Sequence, residues 1–143
     1  MDCLFCKIIN KEIPCFSVYE DDQALVFLDI APINDGHVLI VPKKHCENML
    51  DCDEKILSHI INLVPKIAKA AMVSLNYEAF NLGVNNGAIA GQVIPHLHFH
   101  IMPRKAGDGH CLFKGEKADF KNLENIAEKI KTNIYDSSKP ARI

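Results

Sequence analysis

The chain has 143 residues, 48 % of them hydrophobic and 24 % charged, which is the composition of an ordinary globular domain. Its 16 Lys and Arg against 18 Asp and Glu give a net charge of -2, so the sequence lacks the basic footprint of a nucleic-acid-binding protein. We expect no membrane span, because the apolar runs are shorter than about 18 residues, and no signal peptide. We therefore expect a cytoplasmic protein whose six cysteines are free thiols or metal ligands rather than a disulfide framework.

Turn residues and hydrophobic spacing predict five short strands and two helices. The strands are expected at residues 16–20, 24–30, 37–41, 81–86 and 96–102. A long helix begins at its cap, Asp53, contains Pro65, which should kink it, and ends at Leu75; a second helix covers residues 120–135. The predicted fold class is α+β: a five-stranded antiparallel meander sheet with one long helix and a C-terminal helix. It forms one domain over residues 1–136, followed by a tail at 137–143 that we expect to be mobile.

Three histidines, His96, His98 and His100, alternate with apolar residues in the last predicted strand. Alternation at period two places the three imidazoles on one face, about 6.5–7 Å apart, and turns the apolar residues into a core. Two interpretations remain open at this point. The histidines form a metal site, or the middle ring is a nucleophile or general base that its neighbours orient.

The loop before this strand, residues 85–92, holds two asparagines and two glycines. Such a loop can turn backbone N–H groups towards an anion, phosphate above all. Because the loop leads directly into the histidine strand, a bound anion would lie beside His98. The sequence has no Gly-x-x-x-x-Gly-Lys pattern, so the loop is not a P-loop.

A Cys-x-x-Cys pair, Cys3 and Cys6, opens the chain. With two distant histidines such a pair can make a tetrahedral Cys2His2 zinc site. The candidates for the other two ligands are His45 and His96.

The segments 36–45, 91–92 and 96–102 resemble the histidine triad (HIT) superfamily, whose motif is His-φ-His-φ-His-φ-φ with φ apolar. The opening residues 3–9 and the segment 27–30 are also similar to that family, and the resemblance covers roughly residues 3–113. His100 stands where the nucleotidylyl-transferase branch has glutamine, so the sequence is identified as a member of the Hint-type branch.

The resemblance implies a nucleotide hydrolase or transferase that acts at the α-phosphate of a purine nucleoside phosphoramidate or polyphosphate. His98 would attack phosphorus, form a nucleotidyl-histidine and release a nucleoside monophosphate after hydrolysis. His100 and His37 would contact phosphoryl oxygens and help to protonate the leaving group, while backbone N–H groups of Gln92 and Val93 stabilise the developing charge. The alternatives are a dinucleoside polyphosphate hydrolase and a non-catalytic nucleotide-binding regulatory protein.

The resemblance also implies a nucleotide pocket, with Asp29 on the ribose, Asn85 on the sugar-phosphate and an apolar clamp around the base. The residues assigned to it are Phe5, Ile8, Phe27, Asp29, Ile30, Asn85, Gly91, Gln92 and Val93. Val93 is a departure, because Hint-type phosphoramidases usually carry serine there, with a hydroxyl that reaches the scissile region. This difference bears on phosphoramidate preference more than on phosphoanhydride chemistry.

Some HIT proteins bind zinc through two cysteines, the histidine of Pro-Lys-x-His and the first triad histidine. The matching residues here are Cys3, Cys6, His45 and His96. The resemblance therefore implies a structural zinc ion that pins an N-terminal strand to the histidine strand. Relatives of this type are homodimers, so we expect a twofold dimer in which the sheet edges pair into one continuous sheet and the long helix adds an interface.

Overall fold

The structure is a computed structural model that describes residues 3–111 and 119–135. Five antiparallel strands and two α-helices form its first unit. Their order is α1 (Leu4–Ile9), β1 (Ser17–Glu20), β2 (Ala24–Leu28), β3 (Val38–Pro42), α2 (Glu54–Leu75), β4 (Ala79–Gly83) and β5 (Phe99–Arg104). A second unit begins at His110 and contains α3 (Phe120–Tyr135), a helix at the predicted position. The predicted tail at 137–143 lies outside the described residues.

The sheet has the strand order β1-β2-β3-β5-β4, and every neighbouring pair is antiparallel. The prediction of five antiparallel strands is confirmed. A strict meander is not what the structure shows, because β5 lies between β3 and β4. The chain passes through α2 to the edge strand β4 and then returns, which places the histidine strand in the interior of the sheet. There Leu39 of β3 is paired with His100 of β5.

The sheet separates two apolar layers. One face packs against α2, whose buried residues are Ile60, Leu63, Val64, Ile67 and Ala68. The apolar residues of the histidine segment lie in this layer, as predicted: Leu97, Phe99 and Ile101. The other face packs against α1 through Phe5, together with Leu25, Phe27, Leu39 and Val41. The histidines therefore share the α1 side of the sheet with the smaller apolar cluster.

Local hydrogen bonds explain where the elements begin and end. Asp53 accepts the backbone N–H of Lys55 at 2.8 Å and caps α2, and the helix ends at Asn76, which adopts a left-handed conformation. Pro65 lies within α2, and the helix runs unbroken across it. The side chain of Asp21 accepts two backbone N–H groups in the predicted hairpin turn between β1 and β2.

By length and composition alone, the 22-residue α2 could cross a membrane, contrary to the expectation that no apolar segment is long enough. One face of the helix is buried against the sheet, which is the arrangement typical of a core helix.

The ends of the sheet depart from the predicted bounds. Pro95 has no N–H to donate, and the N–H of Leu97 donates to Cys46 O in a loop rather than to a strand. As a result β5 begins at Phe99 rather than at His96, although the alternation of buried and site-facing residues continues before it. The expected N-terminal strand is wrong. Residues 4–9 form α1, in which a spacing of three places Cys3 and Cys6 near one another.

Cys46 and Cys52 form a disulfide with a Cα–Cα distance of 5.2 Å, which corrects the expectation that all six cysteines are free thiols or metal ligands. They lie at the two ends of a tight loop in which Asp51 accepts the N–H groups of Glu47 and Asn48. The pairing depends on that loop geometry, which cysteine spacing alone does not reveal. The remaining four cysteines are free: Cys3, Cys6, Cys15 and Cys111.

Candidate active site

His98 is held as a nucleophile would be held. Its Nδ1 lies 2.7 Å from the carbonyl oxygen of His96, and a carbonyl only accepts, so Nδ1 carries the hydrogen. In the neutral ring the lone pair is then on Nε2. The ring lines a cavity and packs edge-on against Phe5, with the centroids 5.2 Å apart. The hydrogen bond to His96 O and the contact with Phe5 therefore orient the His98 ring, the middle ring that the sequence predicts to be oriented by its neighbours.

His37 and His100 form a hydrogen-bonded pair across β3 and β5. His37 Nε2 lies 2.9 Å from His100 Nδ1, and His37 Nδ1 accepts the backbone N–H of Ile33 at 3.2 Å. The carboxylate of Asp29 stands 3.6 Å from His37 and 4.0 Å from His100. His37 is only 4 % exposed and lies behind His100 rather than on the cavity wall. His37 thus contacts His100, and its predicted contact with phosphoryl oxygens stays a prediction.

Burial keeps these imidazoles neutral. It lowers the pKa of His100 to about 4, with further lowering by His98 and His37 and opposition from Asp29. Burial also lowers the pKa of His37, again opposed by Asp29, and the pKa of His96. At neutral pH the three rings therefore retain their lone pairs, which suits both hydrogen bonding to substrate and metal ligation.

A cavity of about 460 Å³ opens beside His98 and His100. Most of the predicted nucleotide-binding residues line it: Phe5, Ile8, Phe27, Asp29, Ile30, Asn85, Gly91 and Val93. Phe5 and Phe27 meet edge to face with centroids 5.7 Å apart, so the apolar end offers aromatic walls to a base. None of the described residues lining the cavity is Lys or Arg. The structure therefore brings the residues of the predicted clamp, the carboxylate of Asp29 and the ring of His98 to one site.

Gln92 does not line the cavity. Its side chain accepts the N–H of Gly87 at 2.7 Å and donates to the carbonyl groups of Glu47 and Ile94, while its own N–H donates to Gly87 O. The Gln92 N–H, which is predicted to stabilise the developing charge, thus donates within the loop. Within the described residues the N–H of Val93 makes no hydrogen bond, so it is the amide of this predicted pair that can face an anion.

Sequence reasoning missed one wall of the cavity, formed by the segment after α1. Its residues Ile13, Pro14, Cys15 and Phe16 line the cavity beside the apolar clamp. Residues 13–15 have neither helical nor strand periodicity, and Phe16 is predicted only as the first residue of a strand, so only the unbroken apolar run before β1 could have marked them.

The four predicted metal ligands meet in a second site. Cys3 Sγ and Cys6 Sγ lie 3.3 Å and 3.6 Å from His96 Nδ1, and Cys6 Sγ lies 3.4 Å from His45 Nδ1. The two Nδ1 atoms are 3.2 Å apart. All four ligand atoms fall within 4.8 Å of one another.

This group fits a tetrahedral zinc ion. With Zn–S bonds of about 2.3 Å and Zn–N bonds of about 2.0 Å, ligand atoms lie roughly 3.3–3.8 Å apart, close to the distances observed. His96 Nε2 donates to the carbonyl of Pro42 at 2.9 Å, so its lone pair is on the Nδ1 that faces the cysteines. Burial and the neighbouring Cys3 raise the pKa of the Cys6 thiol above its ordinary value.

Acid is expected to destabilise the protein between about pH 6.5 and about pH 4. The unfolded chain binds a proton at the ordinary histidine pKa of 6.5, whereas folded His100 does so only at about 4. Above both values the ring is neutral in both states and contributes nothing. The difference corresponds to roughly 3 kcal/mol. Chemical denaturation at about pH 7.5 and about pH 4.5 should show a smaller loss of stability in His100→Gln than in the wild type. Equal losses of stability in the two proteins would contradict the assignment of this acid destabilisation to His100.

Comparison with known proteins places the chain in a family. Residues 10–107 match the HIT domain. An adenylylsulfatase of Arabidopsis thaliana is 46 % identical over 115 residues, which are 80 % of this chain and 57 % of that protein. An adenosine 5′-monophosphoramidase of Candida albicans is 39 % identical over 141 residues, covering 92 % of this chain and 91 % of that protein.

A solved structure shares the fold at the level of the whole chain. The crystal structure of a Zn-bound histidine triad family protein from Mycobacterium smegmatis has a TM-score of 0.74 and 30 % identity, covering 97 % of this chain and 99 % of that one. The chain therefore belongs to the histidine triad (HIT) superfamily, as a member of its Hint-type branch.

Proposed function

We propose that this protein is a nucleotide hydrolase or transferase that cleaves a bond at the α-phosphate of a purine nucleotide through a nucleotidyl-histidine on His98. The observation that carries the proposal is the hydrogen bond from His98 Nδ1 to His96 O, which leaves the Nε2 lone pair of a cavity-lining ring available for attack. The names of two relatives, an adenylylsulfatase and an adenosine monophosphoramidase, support substrates in which an adenylate carries a leaving group.

In the first step the Nε2 lone pair forms a bond to phosphorus, and the bond from phosphorus to the leaving group breaks. Water then adds to the same phosphorus and gives up one proton, which balances the departed leaving group. The bond to His98 breaks, its electron pair returns to Nε2, and the nucleoside monophosphate leaves. His100 Nε2–H and the Val93 N–H would stabilise the negative charge on the phosphoryl oxygens; both residues line the cavity, which supports this role. The apolar wall of Phe5, Ile8 and Phe27 takes the base, and Asp29 accepts from the ribose hydroxyls.

The charge of the cavity favours a small leaving group over a second nucleotide. A dinucleoside polyphosphate carries several negative charges, and the described lining residues include one carboxylate, Asp29, and no Lys or Arg. Burying those charges without cations is costly. A phosphoramidate carries one negative charge and an adenylyl mixed anhydride one or two, fewer than a dinucleoside polyphosphate, so a few hydrogen-bond donors can meet them.

We expect adenosine 5′-phosphoramidate and adenylyl mixed anhydrides to be turned over with kcat/KM at least about tenfold above that of diadenosine tetraphosphate, a difference of about 1.4 kcal/mol in transition-state stabilisation. Release of adenosine monophosphate, followed chromatographically at equal substrate concentrations, measures the ratio. A polyphosphate preferred over both would reverse the choice between the two substrate classes.

The variant His98→Ala tests the proposed role of His98 in this activity. It should abolish turnover while nucleotide binding persists, since the apolar clamp and Asp29 remain. In the wild type, rapid quench and mass spectrometry should trap the nucleotidyl group on His98. Binding without any turnover in the wild type would identify a non-catalytic nucleotide-binding protein, and a nucleotidyl group trapped on another residue would remove His98 from its role.

We further propose that Cys3, Cys6, His45 and His96 hold a structural zinc ion. Their fit to tetrahedral zinc distances supports this, as does the Zn-bound relative from Mycobacterium smegmatis. The ion would tie α1 to the segment that carries the triad and would take no part in the bond-breaking steps. We also propose a cytoplasmic location, where thiols such as those of Cys3 and Cys6 remain reduced; a disulfide such as Cys46–Cys52 is uncommon in that compartment.

Removing the metal with a strong chelator should lower the melting temperature by roughly 10 °C, because zinc binding adds to folding free energy. Elemental analysis should give about one zinc per chain, and Cys6→Ser should lose it. Cys15→Ser is the control, since Cys15 is free and lies outside the ligand group. Well under one zinc in metal-replete protein would defeat the proposal.

We propose that two chains pair into a twofold dimer through the edge strand β4. Exposed apolar residues cluster near this edge: Val73 and Leu75 at the end of α2, and Phe80 and Leu82 on β4. A strand edge with apolar side chains is a surface that pairing protects. Each chain would keep its own nucleotide site, because the cavity and His98 come from one chain.

Light scattering in reducing buffer should report about twice the chain mass of 16.0 kDa. Leu82→Lys should shift the mass towards one chain by placing a charge in the pairing edge. Val18→Lys, on the opposite edge strand β1 and also exposed, is the control that should leave the mass unchanged. A wild-type monomer, or equal effects of the two variants, would rule out pairing through β4.

A further inference from the structure

We infer that the disulfide between Cys46 and Cys52 controls phosphate binding from outside the cavity. It holds the disulfide loop, residues 46–52, and this loop in turn holds the glycine loop, residues 85–92, beside His98. Reduction of the disulfide by a dithiol releases both loops and weakens binding of the phosphate group. The effect on the nucleotide rests on the proposed function; the coupling between the two loops does not.

Two hydrogen bonds join the disulfide loop to the glycine loop, one near the start of the glycine loop and one at its end. The N–H of Met49 donates to Asn86 Oδ1 at 2.9 Å, and Gln92 Nε2 donates to Glu47 O at 2.6 Å. Glu47 and Met49 both lie between the two bonded cysteines. The disulfide loop therefore fixes both ends of the glycine loop.

The side chain of Gln92 has no other partners to turn to. Its oxygen accepts the N–H of Gly87 at 2.7 Å, so its nitrogen faces two carbonyl oxygens, those of Glu47 and Ile94. The residue is only 9 % exposed, and a buried donor that loses its acceptor carries the full cost of its desolvation. A shift of Glu47 O is therefore passed on to Gln92 and through it to Gly87.

The more exposed part of the disulfide loop is the part that reduction sets free. Cys46 is 5 % exposed, packs in the core beside α2, and its carbonyl accepts the N–H of Leu97 at 2.8 Å. Cys52 is half-buried, and Leu50 before it is exposed. Two thiol sulfurs cannot lie as close as two bonded ones, because unbonded atoms repel at that distance. Cys46 stays anchored in the packed core, so the chain from it to Cys52 is displaced.

The glycine loop matters to phosphate because none of the described residues lining the cavity is Lys or Arg. Asn85 and Gly91 line the cavity, and Asn85 Nδ2 donates to Gly91 O at 3.2 Å across the loop. Val93, whose N–H can face an anion, follows directly. A phosphate group therefore depends on hydrogen-bond donors that this loop holds in place. The aromatic walls of the cavity belong to other elements, α1 and β2.

Reduction of the disulfide takes two electrons, which a dithiol supplies. One thiolate of the dithiol bonds to Sγ of Cys52, the more accessible sulfur, and the bond to Cys46 breaks with its electron pair on Cys46. The second thiol then displaces Cys52, so the reductant ends as a disulfide and its two protons pass to the protein thiols. In the cytoplasmic location proposed above, disulfides are usually transient or redox-sensing, in keeping with such a cycle.

Calorimetry with adenosine monophosphate and with adenosine tests the inference in the wild-type protein. Dithiothreitol should raise the Kd of adenosine monophosphate at least about fivefold, because the binding-competent glycine loop becomes a minority conformation. The Kd of adenosine, which has no phosphate, should change less than about twofold. Alkylation of the denatured protein should count four free thiols before treatment and six after it.

Three results would overturn the inference. The first is six free thiols even after incubation with oxidised dithiothreitol, since the pair would then not form. The second is an unchanged Kd of adenosine monophosphate in the reduced protein. The third is an equal loss of affinity for adenosine, because the effect would then lie in the whole pocket rather than in the phosphate-binding loop.

Two variants provide the matched comparison. Cys52→Ser cannot form the disulfide, so it should bind adenosine monophosphate as weakly as the reduced wild type, with or without dithiothreitol. Cys111→Ser removes an exposed free thiol and should respond like the wild type. A further loss of affinity when Cys52→Ser is treated would assign the effect to other thiols, such as Cys3 and Cys6, and overturn the inference. If Cys52→Ser does not fold, the wild-type measurements decide.

Hydrogen exchange of single amides tests the coupling of the two loops without any ligand. The N–H groups of Met49 and Gly87 are bonded between and within the loops, and both should exchange at least about tenfold faster in the reduced protein. The N–H of Leu97, bonded to the anchored Cys46, should keep its rate. Unchanged exchange at Met49 and Gly87 would overturn the coupling. Absence of binding of either ligand would instead count against the proposed function, and the exchange rates would still decide on the loops.

Discussion

The arrangement of this protein depends on the three contacts made by His96. Its backbone carbonyl holds Nδ1 of His98, its Nε2 donates to Pro42 O at the end of β3, and its Nδ1 meets Cys3, Cys6 and His45. The residue is completely buried, so none of these groups exchanges its partner for water. One imidazole thus joins His98, the proposed nucleophile, to the sheet and to the cysteine group. Any shift of His96 moves the ring of His98 and a potential metal ligand together.

Much of this site follows from the sequence. Period-two alternation alone predicts that Leu97 and Ile101 enter the core and that His98 faces the opposite way, and both are correct. The alternation holds even where strand pairing fails, because side-chain direction depends on an extended backbone and not on a hydrogen-bonded neighbour. The Cys-x-x-Cys spacing likewise predicts that Cys3 and Cys6 lie in one group, and a spacing of three at the start of α1 brings them together.

What the sequence does not predict are contacts made by backbone groups distant along the chain. The side chain of Gln92 donates a hydrogen bond to the carbonyl of Glu47 and does not line the cavity. Its position in the motif would instead have indicated a contact with substrate. His37 stands behind His100 because Ile33 and Asn34 hold the start of β3. No residue type marks these roles, since any residue except proline has an N–H and every residue has a carbonyl.

The same backbone chemistry gives neighbouring histidines opposite roles. A carbonyl below His98 requires hydrogen on Nδ1 and leaves a nucleophilic lone pair, whereas an amide behind His37 requires hydrogen on Nε2 and, through the pair, leaves a donor on His100. A phosphorus centre between the two rings needs both functions: an electron pair to attack it and a hydrogen bond for the charge that develops. Buried neutral rings provide them without a cation in the described cavity wall. The geometry of one carbonyl and one amide therefore divides the chemistry between two identical side chains two residues apart.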